Sequence, residues 1–121
     1  MKSWYVAALV TLASLPALAC SCAPVGPGAP EADTIIEGRV AGIYPDSGGK
    51  PEILATIAVT RILKGSAGPR ALVRTASSSA ACGVSFQVGQ TVHVALRRAA
   101  RGYTTNLCLN QRDQTARQPK T

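Results

Sequence analysis

Four cysteines constrain this chain more than any other feature of its sequence, and two of them are separated by a single residue. Cys20 and Cys22 flank Ser21, whereas Cys82 and Cys108 lie far along the chain. In a short exported chain, an even number of cysteines predicts a disulfide framework. Four cysteines allow three pairings, and composition does not choose among them.

Residues 1–19 have the features of a secretory signal peptide. Lys2 supplies the positive charge, an apolar stretch follows, and Ala17-Leu18-Ala19 forms a cleavage motif directly before Cys20. The apolar stretch is too short to span a bilayer comfortably as a helix. We therefore expect export to the periplasm or the extracellular space, with a mature chain that begins at Cys20. Lipidation of Cys20 is the alternative, but bacterial lipoproteins usually carry leucine where this chain has Ala17.

The mature chain, residues 20–121, is long enough for one small domain. The whole sequence has a formal net charge of +7, but most of its basic residues are scattered. Only Arg97, Arg98 and Arg101 cluster, and such a cluster is either a solvated loop or a surface for an anionic glycan. We expect a monomer that does not bind nucleic acid.

Apolar periodicity predicts five short strands and little helix. Gly38 and Gly42 indicate a bulge or a sharp coil in the first strand. Beyond Asn110 the sequence is polar and lacks a periodic apolar face, so a flexible tail is expected at residues 110–121. Five antiparallel strands favour a small Greek-key barrel of the OB type, with a β-sandwich as the alternative. The predicted strands cover residues 34–40, 53–63, 71–75, 91–96 and 103–109.

The segment that follows Cys22 is rich in proline and glycine, which excludes helix and central strand. We therefore expect an extended N-terminal arm that the cysteines hold in place. Residues i and i+2 of an extended segment point to the same side. If Cys20 and Cys22 both bond to the barrel, Ser21 must project outward.

Several short motifs follow one another along the mature chain in a recognisable order. They are Cys20-Ser21-Cys22-Ala23-Pro24, residues 32–40, Ile62-Leu63-Lys64-Gly65, Arg74-Thr75, Ala81-Cys82-Gly83, Phe86, Gly89, Gly102, Thr104-Thr105 and Cys108. In this order they resemble the N-terminal, netrin-like module of the tissue inhibitors of metalloproteinases. The resemblance covers almost the whole mature chain. Animal members have a third disulfide in this module, and Ala32 stands where its first cysteine would fall.

The resemblance implies a netrin-like OB domain at residues 20–109 and a specific cysteine pairing. The implied disulfides are Cys20–Cys82 and Cys22–Cys108. It also implies a secreted inhibitor of zinc metalloproteases, in which the α-amino group and the carbonyl oxygen of Cys20 chelate the zinc of the target protease. The implied protease contacts are Cys20, Ser21, Cys22, Ala23, Pro24, Ala80 and Ala81.

Other functions are less compatible with the residues. His93 is the only histidine and has no evident metal-ligating neighbours, and the serines lack a nucleophile motif, so we expect neither an enzyme nor a cofactor. Two alternatives to inhibition remain. One is a thiol redox or metal-carrier protein that uses Cys20 and Cys22 as free thiols. The other is a non-inhibitory netrin-like module that binds matrix, glycan or envelope components through the arginine cluster.

Overall fold

The computed structural model of the protein describes residues 20–23, 31–45 and 48–117, with side chains described as far as Gln114. The predicted signal peptide and Pro24 lie outside these ranges. The regular elements within them are β1 (Thr34–Pro45), β2 (Glu52–Lys64), β3 (Arg70–Ala76), a 3-10 turn (Ser79–Ala81), β4 (Thr91–Arg98), β5 (Tyr103–Thr104) and α1 (Leu107–Arg117).

The five strands close into a barrel in the order β1-β2-β3-β5-β4, and β4 pairs with β1 to complete the ring. The predicted all-β, OB-like barrel with little helix is therefore confirmed, and the sandwich alternative is wrong. One feature of the pairing differs from expectation, because β3 and β5 run parallel. A closed ring with an odd number of strands cannot alternate in direction throughout, so at least one neighbouring pair must be parallel.

β1 is long because it pairs with β2 along one edge and with β4 along the other. Register shifts interrupt the β1–β2 pairing at three points, two of which lie beside Gly38 and Gly42. At Gly38 the strands approach so closely that an added Cβ would lie 2.4 Å from the carbonyl oxygen of Ala58. The irregularity predicted at these two glycines is confirmed, and it lets one strand coil around the barrel.

Side chains that alternate along the strands fill the barrel interior. On β2 the predicted apolar face is confirmed, since Ala55 and Ile57 are fully buried and Ile53 and Val59 pack against the core. The core cluster consists of Ile36, Val40, Ala55, Ile57, Ala71, Val73, Phe86, Val94 and Leu96. This small rigid barrel is the platform on which the N-terminal arm is held.

The end of the chain differs from the sequence prediction. β5 is only Tyr103–Thr104, and the segment expected to be a flexible tail from Asn110 is helical as far as Arg117. The side chain of Asn106 begins the helix by accepting a hydrogen bond from the Leu109 N–H at 2.8 Å. Tertiary contacts stabilise α1, because Leu109 is buried against the barrel and Cys108 forms a disulfide with the arm.

Candidate functional site

The N-terminal arm, Cys20–Ala23, alternates between half-buried and exposed residues. Cys20 and Cys22 are half-buried, whereas Ser21 and Ala23 are exposed. This alternation is expected of an extended segment whose cysteine side chains point to the barrel. Ser21 therefore projects outward, as the spacing of the two cysteines predicts.

Two disulfides attach the arm to different parts of the fold. Cys20 bonds to Cys82, which follows the 3-10 turn, and Cys22 bonds to Cys108 in the first turn of α1. The Cα atoms are 5.0 Å apart in the first pair and 5.3 Å apart in the second. This is the pairing that the family resemblance implies. All described cysteines are in disulfides, so the alternative that requires free thiols in the folded protein lacks its reactive groups.

The loop that carries Cys82 has a defined conformation of its own. We call residues 78–83 the cysteine loop. Ser78 caps its 3-10 turn, since its hydroxyl accepts a hydrogen bond from the Ala81 N–H at 3.3 Å and its carbonyl accepts one from the Gly83 N–H at 3.0 Å. Cys82 ends the turn in the left-handed conformation, with φ of 64°. The turn geometry thus fixes the direction of the Cys82 side chain toward the arm.

Contacts from two neighbouring segments hold the cysteine loop against the barrel. The Leu107 N–H donates to the Cys82 carbonyl at 2.9 Å, and the Val84 N–H donates to the hydroxyl of buried Thr75 at 3.0 Å. At Gly83 an added Cβ would lie 2.0 Å from the Ala76 carbonyl oxygen, so only glycine permits this approach. Sequence reasoning missed the supporting roles of Thr75 and Leu107, because both act through tertiary contacts that no local pattern marks.

The arm and the cysteine loop together form a continuous surface feature, which we call the disulfide ridge. Its exposed side chains are all small: Ser21 and Ala23 on the arm, and Ser78, Ser79, Ala80 and Ala81 on the loop. Of the protease contacts implied by the resemblance, the structure thus brings all except Pro24, which is not described, onto two segments joined by the Cys20–Cys82 bond. Two crosslinks and a capped turn restrict the conformational freedom of this ridge.

The arginine cluster lies around the β4–β5 connection. Arg97, Arg98 and Arg101 are all exposed. Arg98 is partly engaged within the protein, since its guanidinium contacts the Ser66 hydroxyl and its N–H donates to the Asp33 carboxylate at 2.9 Å. Exposed Arg97 and Arg101 thus lie near an arginine, Arg98, that contacts within the protein hold in place.

The titratable groups near the helix form structural contacts. The two ring nitrogens of His93 lie 3.3 Å from Glu37 and 3.0 Å from Asp113. Elsewhere Glu52 pairs with Arg74 at 3.4 Å. His93 also lines a cleft of about 370 Å³ between β4 and α1, together with Phe86, Leu107 and Asn110 among other residues. Because His93 faces a carboxylate on each side, its role in this cleft is to hold elements together.

No protein-family profile matches this chain, and no curated protein sequence does. No helix within the described ranges is both long enough and apolar enough to cross a membrane. The two disulfides are typical of chains that mature in an oxidising compartment.

Proposed function

We propose that the mature chain is an exported inhibitor of zinc metalloproteases that binds the catalytic zinc of its target through Cys20. The observation that carries this proposal is the disulfide ridge. Two crosslinks hold a Cys-Ser-Cys arm with its small middle residue exposed, beside an exposed loop of small residues. Rigid, narrow and protruding segments are suited to the concave active sites of proteases.

Cleavage after Ala19 would give this ridge its chemistry. The mature chain would then begin with the α-amino group of Cys20, a primary amine beside a disulfide. An α-amino group has an unperturbed pKa of roughly 7.7–8.0, so a usable fraction is neutral near pH 7 and has a lone pair to donate. A catalytic zinc keeps one coordination position for water or substrate. The Cys20 amine and carbonyl oxygen would occupy that side of the metal and displace the water.

The neighbouring residues would then contact the protease on either side of its metal. Ser21 is exposed and projects away from the barrel, so it would enter the pocket beside the zinc. Ala23 continues the arm along the cleft, as Pro24 would in the next position. Ala80 and Ala81 are exposed on the cysteine loop and would contact the rim of the same cleft. Small side chains at these positions would let the ridge approach the protease closely but would not fill a deep pocket.

A second candidate function uses the other exposed feature of the molecule. Arg97, Arg98 and Arg101 lie together at the β4–β5 connection, and the guanidinium of Arg98 is positioned by Ser66. A netrin-like module without inhibitory activity would bind anionic glycan or envelope components through this cluster. Such binding would be salt-dependent and would not involve the N-terminus.

The test compares the mature chain with a form that carries one additional alanine before Cys20. Both are exported and processed, their first residues are verified by N-terminal sequencing, and both are assayed against a panel of zinc metalloproteases. A chain with one alanine added after Thr121 serves as the matched control. The N-terminal extension should abolish inhibition, because it converts the amine into an amide and fills the space beside the metal. Both disulfides can still form, so Tm should hardly change.

Two results would contradict the proposal. Equal inhibition by the mature and N-terminally extended chains would exclude chelation by the amine. If the mature chain inhibits no protease of the panel but elutes from heparin at a salt concentration that Arg97→Gln and Arg101→Gln lower, the binding module is the better account.

A further inference from the structure

The two disulfides of the ridge are packed against each other. The sulfur atoms of Cys82 and Cys108, which belong to different disulfides, are 4.0 Å apart. The sulfurs of Cys20, Cys22 and Cys108 all lie within 4.8 Å of one another. All four cysteines are only half-buried. The four sulfurs therefore form one cluster of partly exposed residues, and not two independent crosslinks.

Cys82 and Cys108 are held near each other by contacts that do not involve the arm. Cys82 belongs to the capped cysteine loop, and Cys108 belongs to α1. The hydrogen bond from the Leu107 N–H to the Cys82 carbonyl joins these two segments directly, at 2.9 Å. Cys20 and Cys22, in contrast, are both on the arm. Cys82 and Cys108 thus lie on segments of the folded domain, whereas Cys20 and Cys22 lie on the arm that the two disulfides attach to it.

We propose that this cluster is a thiol–disulfide exchange site that reacts with dithiols and rearranges to a Cys82–Cys108 disulfide, releasing both cysteines of the arm. A dithiol first reduces the Cys20–Cys82 bond: it donates two electrons, becomes a cyclic disulfide, and leaves a Cys20 thiol and a Cys82 thiolate. The Cys82 thiolate then attacks the Cys108 sulfur, forming the Cys82–Cys108 bond and expelling the Cys22 thiolate, which takes up a proton.

The same product forms if the dithiol reduces the other bridge first. Reduction of Cys22–Cys108 leaves a Cys108 thiolate, which attacks the Cys82 sulfur and expels Cys20. In both routes one dithiol is oxidised, two protein thiols are produced, and one disulfide bond remains in the protein. The attack occurs within the molecule between sulfurs that are already adjacent, so it competes well with a second external reductant. Both routes give the same product because the sulfurs of Cys82 and Cys108 are neighbours.

The rearrangement changes the ridge and preserves the barrel. The new bond joins the cysteine loop to α1, two segments that already share a hydrogen bond. The arm loses both of its covalent ties, so its terminus is no longer held beside the loop. If the proposed function is correct, on which this consequence alone depends, one dithiol molecule would inactivate the inhibitor without unfolding it.

The experiment uses the wild-type mature protein with one molar equivalent of dithiothreitol. After acid quenching, N-ethylmaleimide labels the thiols and trypsin cleaves the chain. Cys20 and Cys22 fall on peptide 20–39, Cys82 falls on peptide 75–97, and Cys108 falls on peptide 102–112. The unreacted protein gives all three peptides joined together. The proposal predicts a free, doubly labelled 20–39 and a disulfide-linked pair of 75–97 with 102–112.

Other labelling patterns would overturn the proposal. Label on Cys20 and Cys82 with Cys22–Cys108 intact, or the reverse, would show that the bridges react independently. A mixture of untouched and fully reduced molecules would show that no rearranged form accumulates.

A double variant tests the geometry without any reductant. In Cys20→Ser/Cys22→Ser the arm has no sulfur, and Cys82 and Cys108 should form a disulfide within the folded monomer in a glutathione buffer. The same chain in guanidinium chloride is the matched control, and there the bond should form much less readily. Equal yields under the two conditions would contradict the proximity argument.

The pairing is read by mass and requires no metalloprotease assay, so this inference and the proposed function can fail separately. Rearrangement in a protein that inhibits no metalloprotease would support exchange and refute inhibition. Native pairing after dithiol treatment of an active inhibitor would do the opposite.

Discussion

His93 connects three elements of the fold through one ring. It lies on β4, faces Glu37 on β1 at 3.3 Å and faces Asp113 on α1 at 3.0 Å. The Asp113 side chain is 9% exposed, whereas the Glu37 side chain is 37% exposed. The contact with Asp113 therefore contributes more to stability than the contact with Glu37. The interpretation of this histidine as structural agrees with these contacts.

Replacing this histidine tests the connection. His93→Gln keeps one amide donor but cannot bridge both carboxylates, so it should lower the free energy of unfolding by about 1–2 kcal/mol. Urea unfolding followed by circular dichroism measures this loss, and hydrogen exchange should show faster exchange of the α1 amides. Arg97→Gln, an exposed change on the same strand, is the control. Equal stabilities of the two variants would show that the ring does not tie the helix to the barrel.

Ser21 offers a second test at the scale of a single residue. Because it is exposed on the ridge, Ser21→Leu should leave Tm unchanged. The longer apolar side chain should strengthen inhibition of metalloproteases with deep apolar pockets by roughly 1–2 kcal/mol, through added burial. Inhibition constants measured across several such proteases provide the comparison. Ala41→Leu adds the same side chain at an exposed position of β1 and should have no effect, so a gain in both variants would refute the placement of Ser21.

Among the elements, β5 and α1 differ most from the prediction made from the sequence. β5 has two residues and leaves part of the β4 edge uncovered. Side chains from the following segment complete it: the Thr105 hydroxyl donates to the Ala95 carbonyl at 2.7 Å, and the Asn110 side chain accepts from the Ala95 N–H at 2.9 Å. These contacts are tertiary and polar, so neither strand alternation nor helical periodicity indicates them. The predicted fifth strand was therefore too long, and the predicted tail is helical as far as Arg117.

Asn110 gives this element a direct test. Asn110→Ala removes the acceptor of the Ala95 N–H, and Ala95 is fully buried. An unsatisfied buried donor costs about 1–3 kcal/mol, so the free energy of unfolding should fall by that amount. The matched control is Gln114→Ala, an exposed change on the same helix. Chemical denaturation distinguishes the two, and a loss confined to Gln114→Ala would contradict the assignment.

For the whole molecule, the features that the sequence could predict are those carried by local pattern. Alternating residues such as Ala55 and Ile57 marked the strands, glycines marked the irregularity of β1, and the cysteines marked the crosslinks. The ring of five strands, with its necessary parallel pair, follows from closure. In contrast, the contact between Cys82 and Cys108 depends on how a loop and a helix meet in space. No spacing along the chain encodes that distance.

The central claim is that the amine of Cys20 binds the metal of a protease, and the electronic spectrum of a cobalt-substituted metalloprotease tests it most directly. Addition of the mature chain should change the cobalt absorption bands, because a nitrogen and an oxygen replace the metal-bound water. The form with one alanine before Cys20 should leave the bands unchanged at the same concentration. An inhibited complex whose cobalt spectrum equals that of the uninhibited enzyme would contradict the account.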